Sequence, residues 1–75
     1  LGWVFFKQGR IREAIAALEK AVLAAPKDAI IAEHLGYAYL ENNEFERAIR
    51  MFTKALELDP SKEYLKAKIS EISNK

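Results

Sequence analysis

The sequence has no cysteine, two prolines, three glycines and a single histidine. Without cysteine there is neither a disulfide nor a thiolate zinc site, the devices that commonly hold short chains together. The 75 residues must therefore be stabilised by packed side chains or by neighbouring protein. No apolar run approaches the 18 or so residues needed to cross a bilayer, so no membrane insertion is expected. An excess of one charge is missing too. Twelve Lys and Arg stand against eleven Asp and Glu with the signs interspersed, and the net charge of +1 leaves no electrostatic footprint for nucleic acid or a membrane surface. The opening residues lack a basic n-region, an apolar h-region and a cleavage site, and Leu1 stands where a methionine would begin a chain. The expectation is an internal fragment of a longer protein.

What is present is an ordinary folding composition, 51% apolar and 31% charged, far from the signature of disorder. A chain this short buries only about 60% of its unfolded surface, so there is room for one small domain or part of one.

Sliding the sequence on itself by 34 residues aligns Leu1-Gly2 with Leu35-Gly36, Ala14-Ile15 with Ala48-Ile49, Lys20-Ala21 with Lys54-Ala55, and Pro26 with Pro60. The pairs that differ keep their size and polarity: Trp3 with Tyr37, Phe5 with Tyr39, Phe6 with Leu40, Ile11 with Phe45, Leu18 with Phe52, Val22 with Leu56. Within each unit the period is helical. Ile11, Ala14, Ile15, Leu18, Ala21, Val22 and Ala25 recur at i, i+3, i+4 spacing, and Phe45, Ala48, Ile49, Phe52, Ala55 and Leu56 repeat the phase. Each helix stops before a proline, which cannot continue it. Between them, from about Asp28 to Glu41, a helix apolar on nearly all sides is expected, capped by Asp28 and closed at Asn42-Asn43. Gly9 and Asn43 stand 34 apart and read as the same turn. A last helix is expected after Pro60, with Ser61 as its N-cap, Tyr64, Leu65, Ile69 and Ile72 as its apolar stripe, and Asn74 and Lys75 fraying.

These residues resemble the tetratricopeptide repeat, a 34-residue helix–turn–helix with the pattern W-x₂-L-G-x₂-Y, then A-x₃-F, then P. The second unit matches it at Leu35, Gly36, Tyr39, Ala48, Phe52, Ala55 and Pro60 and departs from it at Ala32, where Trp is expected. The first unit matches at Leu1, Gly2, Ala14, Ala21 and Pro26, with Phe5 and Leu18 as substitutes. The resemblance implies an all-α fold, an α-α superhelix with about two helix–turn–helix units and a C-terminal capping helix. The expected divisions are 1–28, the first unit lacking its opening residues, then 29–62, the second unit, and 63–75, the cap. Small residues at 36, 48 and 55 would let antiparallel helices approach, with Tyr39 and Phe52 filling the space beside them.

Catalytic chemistry finds no foothold in the sequence. His34 has no second His or Cys, and Glu33 and Glu41 read as lying on different parts of the helix surface, so neither a metal nor any other cofactor is expected. Ser61, Ser70, Ser73 and Thr53 have no base within helical reach, and no glycine-rich phosphate loop exists. The expectation is that the chain is not an enzyme.

Proteins of the resembled family line a concave groove with their first helices and commonly hold a segment of another protein there. Carried over residue by residue, the groove positions are Trp3, Phe6 and Lys7, then Ile30, Glu33, Tyr37, Leu40 and Glu41, then Tyr64, Ala67 and Glu71. They make a mostly apolar and aromatic surface of the kind that marks interaction sites. The basic clamp with which some family members hold a terminal carboxylate is missing, because Trp3, Tyr37, Ala67 and Glu71 occupy its places. The expected partner is a protein or peptide, not nucleic acid. Two alternatives stand beside that reading. One is structural self-assembly into a homo-oligomer through Leu1–Lys7, and the other is a repeat segment accompanying an enzyme elsewhere in the parent chain.

Overall fold

From Arg10 the chain winds into four consecutive α-helices: α1 (Arg10–Ala24), α2 (Ala29–Glu41), α3 (Phe45–Leu58) and α4 (Tyr64–Ser73). They are seen in a computed structural model that describes residues 10–74. The expectations placed on Trp3, Phe6, Lys7, Gly9 and Lys75 lie outside the described residues, as does self-association through Leu1–Lys7.

Each helix forms where its apolar spacing and end signals require it. In α1, Ile11 and Ile15 are buried, with Leu18 and Val22 packed beside them, one stripe on one side of the helix. The Ala25 N–H still reaches the Ala21 carbonyl at 2.8 Å, and Pro26 then ends the ladder. Asp28 starts α2 as anticipated: its backbone is extended, and Oδ1 accepts from the N–H groups of Ile30 and Ile31 at 2.9 and 3.3 Å. Helix α2 buries Ala32, Leu35, Gly36, Ala38 and Tyr39, because α1 and α3 both pack against it.

The α2–α3 turn is closed by Asn43, which takes the left-handed conformation at φ 60°. The Glu44 N–H bonds the Tyr39 carbonyl at 2.9 Å and the Asn43 N–H bonds that of Leu40 at 3.0 Å, the paired closure of a Schellman motif. Side chains lock it, since Asn42 Nδ2 donates to Glu44 Oε2 at 2.8 Å. Helix α3 then runs back against α2 and buries Ala48, Phe52 and Ala55, three and four residues apart. The core is this crossing, with Phe52 and Leu35 fully buried, extended by Ile11 and Ile15 on one flank and by Leu65 and Ile72 on the other.

Helix α4 begins differently from the sequence expectation. Ser61 does not cap it: the Ser61 hydroxyl and N–H both donate to Asp59 Oδ1, at 2.6 and 3.1 Å. The Asp59 carboxylate holds Ser61 in an Asx turn and the Lys62 N–H bonds back to the Asp59 carbonyl at 3.1 Å, so the backbone at Ser61 belongs to the turn and the helix starts three residues later. Glu63 stands at the cap position without a side-chain bond. The expected stripe also splits: Leu65 and Ile72 are buried and Ile69 is half-buried, but Tyr64 turns out to solvent at 53% exposure. Among the described residues, no helix is long and apolar enough to cross a membrane.

Candidate functional site

One face of α2 carries Ile30, Glu33, Tyr37, Leu40 and Glu41, spaced three and four apart so that they share a side of the helix. Their surroundings differ. Ile30 is 56% and Tyr37 36% exposed, whereas Leu40 is half-buried against the core. Glu41 lies in the open, as do Ala67 and Glu71 on α4. Glu33 departs most from an exposed groove residue. It is buried, only 9% exposed, because the start of α4 folds over it.

That burial is fully compensated. The Tyr64 phenol donates to Glu33 Oε2 at 2.7 Å, and Lys62 Nζ stands 3.0 Å from Glu33 Oε1. Lys62 also donates to the Tyr64 oxygen at 3.3 Å and lies 5.8 Å from the centre of its ring. Burial pushes the Glu33 carboxyl up, but the hydrogen bonds from Tyr64 and Lys62, together with the Lys62 charge, outweigh it and hold the group below its ordinary value. The hydrogen bond to Glu33 in turn raises both Lys62 and Tyr64.

A second contact of the same kind sits further along the α2–α4 seam. Lys68 Nζ lies 5.9 Å from the Tyr37 ring centre and 3.6 Å from Glu71 Oε1. The Tyr37 ring stands edge-on to Phe52 at 5.0 Å, so its position is set by the core while its outer face remains available.

On its α1 side, α2 borders an open slot of about 730 Å³ lined by Ala14, Ala17, Leu18, Glu33, His34, Tyr37 and Glu41. Glu33 and Glu41 therefore share one slot, correcting the expectation that they occupy different parts of the surface. They are two helical turns apart and fall on the same side. Of the anticipated groove residues, the structure joins Glu33 to Tyr64 and gathers Glu33, Tyr37 and Glu41 around the slot. Lys62 and Lys68 escaped the sequence reading, since their roles depend on how α4 docks and no local spacing announces it.

Tyr39 ties the units from behind this face. Its phenol donates to Glu19 Oε2 on α1 at 2.5 Å, and Arg47 of α3 lies 5.9 Å from its ring centre. Burial and the Glu19 carboxylate push the Tyr39 hydroxyl up to about 12.

Comparison with known proteins agrees with this geometry. The family model of the tetratricopeptide repeat matches residues 1–63. The chain is 39% identical over 71 residues to human Superkiller complex protein 3, 38% to the mouse protein of that name, and 35% to Tetratricopeptide repeat protein 37 of Xenopus laevis. Each match covers 95% of this chain and 4% of the relative, so the chain spans a small part of the length of these proteins. Repeats of this kind generally mediate protein–protein interactions and are typically non-catalytic. With its 34-residue period, its antiparallel helices and its small residues at the α2–α3 crossing, the chain belongs to the tetratricopeptide repeat family.

Proposed function

We propose that this chain is a scaffold module that holds a peptide or protein segment against the α2–α4 face. One observation carries the reading. Four large hydrophobic side chains are exposed among the described residues, and three of them, Ile30, Tyr37 and Tyr64, lie at the groove positions. Exposed aromatic and aliphatic anchors clustered on one face mark interaction surfaces. On the 34-residue register Trp3, Phe6 and Lys7 would extend the set from the first unit. The human and mouse relatives are named as a protein of a complex, which suits a module whose task is to hold other proteins.

The division into a unit at 1–28, a unit at 29–62 and a cap at 63–75 belongs to the same proposal. In α2 the residues Ala32, Leu35, Gly36 and Tyr39 are all buried, and 34 positions on stand Lys66, Ile69, Ser70 and Ser73, of which only Ile69 is even half-buried. Leu65 and Ile72, buried on the side of α3, correspond to Ile31 and Ala38. Helix α4 thus covers the array with one apolar side and offers water the other.

The test is selection of peptides on the chain from a displayed library, followed by binding to variants. Tyr37→Ala and Ile30→Asp are each expected to weaken the selected peptides by about tenfold or more. Arg50→Ala, on the outer face of α3, should leave affinity unchanged. Equal effects at all three positions would contradict the groove. Light scattering serves as the control: a mass that grows with concentration and reverts on Tyr37→Glu would make a second copy the occupant and favour self-assembly.

A further inference from the structure

Glu33 is the one buried charged side chain among the described residues. A carboxylate removed from water is costly unless its oxygens are met by donors, and here each oxygen has one. Two groups meet the Lys62 ammonium, a carboxylate oxygen of Glu33 and the phenol oxygen of Tyr64, and both are acceptors suited to a primary ammonium. The ammonium comes from neither of the helices that carry the other two groups. It is delivered by the α3–α4 loop, which is shaped by the Asx turn of Asp59 and Ser61. Its side chain remains 17% exposed, so the site has an edge open to solvent.

We infer that Glu33 and Tyr64 form a primary-ammonium site on the groove face, which Lys62 fills from within the chain and which a lysine side chain of a partner segment takes over when the groove is occupied. The inference rests on the groove reading and adds the chemistry of one anchor. Replacing one ammonium by another conserves the charge balance and the hydrogen bonds of the site, so the buried carboxylate need not stay bare. Lys62 stands on the loop before α4 with its side chain 17% exposed, so outward rotation of that side chain would return its ammonium to water. Tyr64 stays in place, since Leu65 beside it anchors α4 in the core.

Lys62→Met vacates the site and N-acetyl-lysine methylamide is the probe, followed by the carbon shifts of the Glu33 carboxylate and the Tyr64 ring. Saturable shifts at both residues are expected in Lys62→Met. The unaltered chain should need more probe, by the ratio of the effective concentration of tethered Lys62 to the Kd measured in Lys62→Met. The double variant Glu33→Gln/Lys62→Met should show no shifts, and N-acetyl-alanine methylamide should move neither residue. Absence of saturable shifts in Lys62→Met, or equal shifts in the double variant, overturns the inference. Should Lys62→Met fail to fold, the ammonium signal of Lys62 in the unaltered chain decides. It is expected to be protected from exchange with water and to weaken as probe is added. Exchange as fast as that of exposed Lys66 would refute the site. The groove reading fails separately, if Tyr37→Ala leaves peptide binding intact while the ammonium probe still binds Lys62→Met.

Discussion

Gly36 and Phe52 meet so closely that the α2–α3 crossing admits no side chain at position 36. A Cβ built on Gly36 would stand 2.7 Å from Phe52 Cε1 and 2.8 Å from Cδ1. The ring is fully buried and has nowhere to retreat. Gly36→Ala should therefore overpack the crossing at about 1–3 kcal/mol. The gain in helix propensity returns at most about 1 kcal/mol. A urea unfolding midpoint below that of the unaltered chain is expected; an equal or higher midpoint would mean that the crossing is looser than described.

The same crossing separates the inner from the outer face of α3. Ala48 is fully buried and Arg50, two residues on, is exposed. Ala48→Leu should cost about 1–3 kcal/mol by overpacking. Arg50→Ala should stay within about 0.5 kcal/mol. Thermal melts of the two variants that fell together would reverse the assignment of faces.

Asp28 holds two otherwise unpartnered N–H groups of α2 through a single oxygen. Asp28→Ala is expected to cost about 1 kcal/mol, and Asp28→Asn, which keeps an acceptor, much less. Equal melting temperatures for the two variants would show that the cap contributes nothing.

Tyr39 gives the chain a pH dependence on the alkaline side. Its hydroxyl is raised from 10.0 to about 12 by burial and by Glu19. Between those values the unfolded chain releases the proton and the folded chain keeps it. The contribution is thus fully present below pH 10 and is lost as pH rises towards 12. Phenolate absorbance should show a step near pH 12 beside the raised titration of Tyr64, and Tyr39→Phe should remove the step near pH 12 together with the associated fall in stability. A step near pH 12 that survives in Tyr39→Phe would assign it elsewhere.

Much of the fold was legible because repeats write their contacts locally. Ile11 and Ile15, Ala48 and Phe52, Asp28 and Asn43 act through spacings of a few residues that a sequence displays directly. The start of α4 was not legible, because Ser61 had two local roles open to it, accepting from the first N–H groups of a helix or donating to Asp59 in an Asx turn, and no spacing in the sequence decides between them. The site was legible in part. Ile30, Tyr37 and Tyr64 are exposed as their register positions imply, but Glu33 was expected open and is closed by Lys62 and Tyr64. That closure joins residues on different helices and depends on the docking of α4, which no single stretch of sequence encodes.

The central claim, that partners lie on the α2–α4 face, is tested most directly by paramagnetic broadening. A selected peptide carrying a spin label is bound to the isotope-labelled chain. The account predicts that the signals of Ile30, Tyr37, Tyr64 and Ala67 broaden while those of Arg50, Lys54 and Glu57 on the outer face of α3 remain sharp. Broadening centred on those α3 residues, with Tyr37 and Tyr64 untouched, would contradict it.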